Sequence, residues 1–227
     1  MICIVSIPGF WHGKRSNRCG RDDFFERIQS LISAKAVRIT HHISSICGVD
    51  AAYSSNGNRV VAAATLFVDG RLEKTSVYSG RFTFPYVSGL FYLHEGPVAV
   101  AAVRKLENKP QLVCFDAHGL AHPRLKGLAT VCGMVLGVPS IGIAKSGLVG
   151  KVSPYRSGLQ KMVYNGRCVG YVTLDAKKRY WSPGYSVSAV GLERVISKHG
   201  NVCLSALEEA HRLAKKSILR GNNEISG

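Results

Sequence analysis

The sequence predicts a mixed α/β fold: an antiparallel three-strand meander leading into parallel strands, with helices on the flanks. Three observations carry this. Residues 44–82 hold three runs rich in β-branched side chains, SSICGVDAAY, RVVAAATLFVDG and RLEKTSVYSGRF. They break at Asn56-Gly57-Asn58 and Asp69-Gly70, which suit hairpin turns. From residue 95 onward helix-like and strand-like segments alternate, as in parallel βαβ units. No repeat or low-complexity linker divides the 227 residues, so one domain over 1–227 with a full core is expected.

Each element has its own signal. Residues 1–20 form a basic lead-in, ending in the Gly-containing WHGKRSNRCGR (11–21). DDFFERIQSLISAKAV (22–37) places Phe25, Ile28, Leu31 and Ile32 on one helical face behind a possible N-cap, Asp22. After the meander, EGPVAVAAVRKLE (95–107) reads as a helix with Pro97 in its first turn. QLVCFD (111–116) is a strand, HPRLKGLATVCGMVLG (122–137) a helix and PSIGIAKS (139–146) a strand. QKMVYN and RCVGYVTLD make a hairpin around Gly166. SVSAVGLERVISKH and CLSALEEAHRLAKKSIL read as two closing helices, and 220–227 as a flexible tail.

Composition narrows the function. Thirty Lys+Arg against 14 Asp+Glu give a net charge of +16. Such an imbalance costs self-repulsion and points to a polyanionic partner, with a generally basic surface of ribosomal type as the plainer explanation. Seven Cys, mostly in apolar contexts and without a CxxC pair, suit reduced, buried thiols in a cytoplasmic protein. The opening MICIVSIPGF is short and carries Pro8 and Gly9, so no signal peptide is expected. No apolar run approaches about 18 residues, so no membrane span is expected either.

Charged residues stand where strands meet turns. Asp50 interrupts the apolar GVDAAY, Asp116 ends QLVCF, Glu95 opens a helix and Lys145 ends SIGIA. In open α/β sheets, sites form beyond strand ends. A lone charge in a buried strand costs on the order of several kcal/mol, which a partner or a metal must offset. Three converging carboxylates would repel one another without a divalent cation, and carboxylate oxygens suit Mg²⁺ or Mn²⁺. On a basic chain this combination implies phosphodiester cleavage, with two ions about 3.5–4 Å apart as one form of it. Taken singly, Glu95 also fits a helix N-terminus, Asp116 a cap or turn, and Lys145 the surface. His122 alone fits a structural histidine. His211 shares a helical face with Leu204, Leu207 and Ala214, which fits core packing.

Together, GVDAAY (48–53), PYVSGLFYLHEGP (85–97), DAHGLAHPRLKGLA (116–129), GVPSIGIAKS (137–146) and SPGYSVS (182–188) resemble the endonuclease V family. The match spans 48–188 in order and spacing. It implies a ribonuclease-H-like fold and a monomeric Mg²⁺-dependent nuclease, with Mn²⁺ able to substitute. The implied target is hypoxanthine, with hydrolysis at the second phosphodiester bond 3′ to the deaminated nucleotide. The resemblance places metal carboxylates on Asp50, Glu95 and Asp116, a catalytic lysine on Lys145, and catalytic histidines on His122 and, by a looser match, His211. It places a strand-separating wedge on Pro85, Tyr86, Val87, Ser88 and Gly89, with Tyr86 as the inserted aromatic. A loop aromatic is the plainer role for Tyr86, although Pro85 and Gly89 shape an exposed turn. Because hypoxanthine pairs weakly, extruding it is cheap. Its pocket, near Gly89 and Gly119–Leu120, would reject guanine by crowding the 2-amino group. His118, His122 and Arg124 then line the nucleic-acid side.

The chain departs from the family pattern at four positions. Ser88 stands where bacterial members have Pro, His94 where Arg precedes the Glu, Ala117 in place of Gly, and Tyr185 in place of His. Three functions follow: an endonuclease for deoxyinosine in DNA, a ribonuclease for inosine in RNA, and a non-catalytic basic nucleic-acid-binding module. Phosphate contacts are indifferent to the sugar, so composition does not separate the first two.

Overall fold

The computed structural model describes residues 43–55, 59–81, 92–156, 158–174 and 177–223, the side chains of 92–94 and 221–223 excepted. All of these fall in one compact unit. The basic lead-in, the helix expected over 22–37, the turn at 56–58, the PYVSG loop from Pro85 to Gly89 and the last residues of the tail lie outside the described residues.

The meander forms as expected: β1 (Ser45–Tyr53), β2 (Arg59–Val68) and β3 (Arg71–Arg81) pair antiparallel in sequence order. Asp69 and Gly70 both take positive φ, 47° and 79°, the left-handed pair that a two-residue hairpin demands. Helix α1 (Tyr92–Arg104) follows, starting three residues ahead of Glu95 and placing Pro97 beyond the first turn. Strand β4 (Leu112–Phe115) runs parallel to β1, and β5 (Ser140–Ala144) parallel to β4, with α2 (Leu128–Leu136) between them. The sheet then continues antiparallel through β6 (Lys151–Pro154), β7 (Gln160–Tyr164), β8 (Arg167–Thr173) and β9 (Arg179–Pro183). Its nine strands run β3-β2-β1-β4-β5-β9-β8-β7-β6. The β7–β8 hairpin turns at Asn165-Gly166, again both at positive φ.

Two expectations are corrected. The two closing helices are one, α3, running from Ala189 to Asn223. Gly200, between the two expected helices, meets nothing nearer than 3.9 Å at its missing Cβ and does not take the left-handed conformation that ends helices. Helix α2 begins at Leu128, not His122. Residues 117–127 form an irregular loop whose main chain bonds elsewhere: Leu120 N–H to Pro183 O at 2.7 Å, Gly127 N–H to Gly119 O and Ala129 N–H to His118 O.

Helices cover both faces. Beside α1, Ser76 donates to Ala102 O, and the missing Cβ of Gly80 would fall 2.7 Å from Val98. On the opposite face, Gly48 and its cross-strand partner Thr65 take α3 almost without separation. A Cβ on Gly48 would lie 2.3 Å from the Ala206 carbonyl carbon, and Thr65 Oγ1 donates to Ala206 O at 2.8 Å. A core of Ile46, Leu112, Cys114, Ile141, Ile143, Trp181 and Leu192 fills the space under α3. Among the described cysteines, Cys47, Cys114, Cys132 and Cys203 are buried and free, and Cys168 is free and half-buried. No described helix is long and apolar enough to cross a membrane.

Candidate nuclease site

Strand pairing brings the acidic residues together. Val49 pairs with Phe115 in the parallel β1–β4 ladder, and Asp116 N–H donates to Val49 O. Asp50 and Asp116 therefore follow side by side at neighbouring strand positions and share a face. Asp50 is two residues past Gly48, so this is the face that α3 crosses. Five residues beyond Ala206, His211 meets it: His211 Nδ1 lies 2.6 Å from Asp50 Oδ2. One donor atom each from Asp50, Asp116 and His211 all fall within 4.8 Å of one another, close enough for one metal ion.

Glu95 arrives from the first turn of α1 and is buried, 8% exposed. Tyr53 OH donates to Glu95 Oε1 at 2.7 Å. Burial, opposed by that hydrogen bond and reinforced by the charges of Asp50 and Asp116, pushes its carboxyl up to about 8. Asp50 is also raised, by burial first and then by Asp116, against its bond to His211. The carboxylates thus sit close enough to disfavour each other's ionisation, an arrangement that a bound divalent ion relieves. Two hard carboxylate donors and an imidazole suit such an ion.

A cation flanks the group. Lys145, just past β5, binds Asp116 Oδ2 through its Nζ, yet its side chain is 61% exposed against 17% for Asp116. On the other side of Asp116 is the 117–127 loop. Gly119 is required there, since a Cβ would fall 2.1 Å from Pro183 O. Its N–H donates to Ser182 Oγ and that of Leu120 to Pro183 O, so both donors tie the loop to β9. His118 has a buried Nδ1 without a hydrogen-bond partner, and burial lowers its pKa. His122 is buried, and its Nδ1 accepts the Arg124 N–H at 3.2 Å, so the ring shapes the turn.

The structure thus joins Asp50, Asp116, His211 and Lys145, sets Glu95 beside them, and places His122 and Arg124 on the loop ahead of α2. Sequence reasoning missed Tyr53, although it stands inside GVDAAY. It also missed Lys177, Arg179 and Glu208, which line a cavity of about 470 Å³ together with Asp116, Lys145 and His211.

Comparison with known proteins places the chain in a family. The endonuclease V family model matches residues 26–205. An endonuclease V of Saccharolobus islandicus is 37% identical over 169 residues, covering 73% of this chain and 81% of the relative. The crystal structure of endonuclease V from Streptomyces avermitilis superposes with a TM-score of 0.77 at 23% identity, covering 95% of this chain and 98% of that one. The Ciona intestinalis endonuclease V, solved in complex with a 24-mer DNA containing an inosine followed by a ribo-adenosine, superposes with a TM-score of 0.76 at 15% identity, covering 89% and 99%. The fold is ribonuclease-H-like, as the motifs implied. With the family model matched over most of its length and a relative 37% identical across 73% of it, the chain belongs to the endonuclease V family of nucleases.

Proposed function

We propose that this chain is a metal-dependent endonuclease that recognises hypoxanthine in DNA and hydrolyses the second phosphodiester bond 3′ to the deoxyinosine, initiating repair. The observation that carries the reading is the convergence of Asp50, Asp116 and His211 from β1, the end of β4 and α3, with Lys145 on Asp116. The inosine-containing DNA held by the Ciona relative supports the substrate.

Asp50, Asp116 and His211, with Glu95 beside them, would hold Mg²⁺, or Mn²⁺ in its place. Bound there, the ion supplies positive charge that acidifies water and neutralises charge developing on the phosphate. The protein's own groups do the rest. Lys145 presents an exposed ammonium, tethered at Asp116, to a phosphate oxygen. Tyr53 fixes one oxygen of Glu95. Asp50 fixes the ring of His211 through Nδ1, leaving Nε2 directed away from that bond. The loop from Ala117 to Gly127, tied to β9, forms a rigid wall for the extruded base, with His118, Gly119 and Leu120 on it and His122 and Arg124 following. Tyr86 in Pro85–Gly89 fills the gap left in the stack. The protein acts as a cytoplasmic monomer of a single domain.

The test is cleavage of matched DNA and RNA oligonucleotides carrying one inosine, with mapped ends, in Mg²⁺. The expected product from DNA is a cut one nucleotide beyond the lesion's 3′ neighbouring bond, with 3′-hydroxyl and 5′-phosphate ends, and Asp116→Ala loses it. If only the RNA is cut, the repair reading fails. If the variant cuts as well as the parent chain, the metal site is wrong.

A further inference from the structure

We infer that Lys177 and Arg179 form a phosphate clamp on the β9 side of the site, holding the nucleic-acid backbone next to the bond that is cut. This rests on the nucleic-acid substrate proposed above, but not on inosine. Neither residue lies in a segment that carries the family resemblance.

The register places the clamp. The β5–β9 ladder pairs Ile143 with Trp181 and Ala144 with Tyr180. One step further, Lys145 falls opposite Arg179, and directly opposed residues of antiparallel strands share a face. That face also carries Ile143 and Trp181, both buried under α3. At Lys145 and Arg179 the core ends and the surface opens into the cavity of about 470 Å³, which holds Asp116 and His211 as well. Lys177, two residues before Arg179, lines the same cavity and is exposed.

Pairing separates these two from the third cation that lines the cavity: Lys145 is committed to Asp116. Arg179 donates only to the carbonyl of its own neighbour, Lys178, at 3.1 Å, and neither it nor Lys177 pairs with a carboxylate among the described residues. Adjoining Lys178 is held elsewhere, over the Tyr180 ring at 5.1 Å. Across the cavity, Glu208 on α3 repels a phosphate and favours the β9 side. Two unspent cations, aligned with Lys145 and facing a carboxylate wall, give a polyanion one line of passage. Arg179 suits phosphate through its planar fork, and Lys177 as a mobile point charge.

The test uses the full chain without divalent metal, so that nothing is cleaved. Fluorescence anisotropy gives the Kd of a labelled single-stranded oligonucleotide with one inosine, and of its inosine-free counterpart, across a KCl series. For Lys177→Ala/Arg179→Ala, the slope of log Kd against log salt falls by about 1.4, from ~0.7 per single-strand phosphate contact, on both oligonucleotides. Lys177→Arg/Arg179→Lys restores the slope, which a merely structural role would not do. If the double variant does not fold, the exposed Lys177→Ala alone gives a fall of about 0.7. An unchanged slope in a folded variant overturns the clamp. If the parent chain shows no preference for inosine while the slope still falls, the inosine reading fails and the clamp stands.

Discussion

The two sides of the site are built on opposite principles. On one side Glu95 is buried and Asp50 half-buried, bonded to Tyr53 and His211 respectively, and burial first, then neighbouring carboxylates, raises both. On the other, Lys145, Lys177 and Arg179 stand at the mouth of the cavity, close to water. Buried charge is held rigidly but at high desolvation cost, so a metal fits where protein alone would be unstable. Exposed charge costs little, adapts its reach and is weakened by salt. The buried wall is thus suited to the chemistry, and the open rim to capturing substrate.

The sharpest break of this contrast is on the wall. Asp50→Asn should keep the side chain's shape and lower cleavage by at least ~10³-fold, several kcal/mol of barrier. Single-turnover rates check this, and salt-dependent binding should persist. A variant that loses binding but cuts normally once saturated would reverse the assignment of the two sides.

Next in size is the docking of α3. Gly48→Ala sets a Cβ against the Ala206 main chain. It should cost about 3 kcal/mol, a Tm fall of about 6–12 °C. Cleavage should fall with it, because His211 rides on the same helix. Thermal melts alongside rates test the linkage.

A third prediction concerns protons. With Glu95 raised from 4.5 to about 8, the folded chain keeps a proton that the unfolded chain has released throughout that window. The stability from this protonated form is complete below 4.5 and lost as pH climbs through about 8. Asp50 acts with the same sign. His118 is lowered from 6.5 and acts oppositely, but below 6.5. Between pH 6.5 and 8 the metal-free protein should therefore lose stability with a slope approaching ~1.4 kcal/mol per pH unit. Urea midpoints measure it. Glu95→Gln should flatten the slope, and Mg²⁺ should stabilise progressively more as pH rises.

The smallest effect belongs to Tyr53→Phe. Losing one hydrogen bond of ~0.5–1.5 kcal/mol should lower cleavage at neutral pH by less than about ten-fold. It should also move the pH profile upward, because that bond helps Glu95 ionise. A profile displaced downward would mean that Tyr53 holds Glu95 protonated instead.

The site was legible where chemistry contradicts local structure. A charge in GVDAAY, or at the end of QLVCF, has no purpose in a strand, and both proved to face the same point. His211 was obscure because its helical period groups it with Leu204 and Leu207. Only the crossing of α3 over the end of β1 shows that this stripe leaves the core before reaching it. Tyr53 was hidden because its partner is brought back across β2 and β3. Lys177 and Arg179 stand in a short basic run, Lys177-Lys178-Arg179, with no motif or apolar period to set them apart. The start of α2 was misjudged because the 117–127 main chain folds back on itself, Gly127 N–H on Gly119 O with Leu125 at positive φ, and is tied to β9 at Gly119 and Leu120. The meander was readable because its described turn, Asp69-Gly70, is a local matter of left-handed residues.

Where α3 crosses the sheet at Gly48, no side chain stands between helix and strand. Main chain rests on main chain, and the Thr65 hydroxyl fastens it. Repacking the apolar interior elsewhere therefore cannot widen the gap between imidazole and carboxylate, since the spacer there has no thickness to vary. The reach from His211 to Asp50 is gauged by peptide units, which every sequence possesses alike.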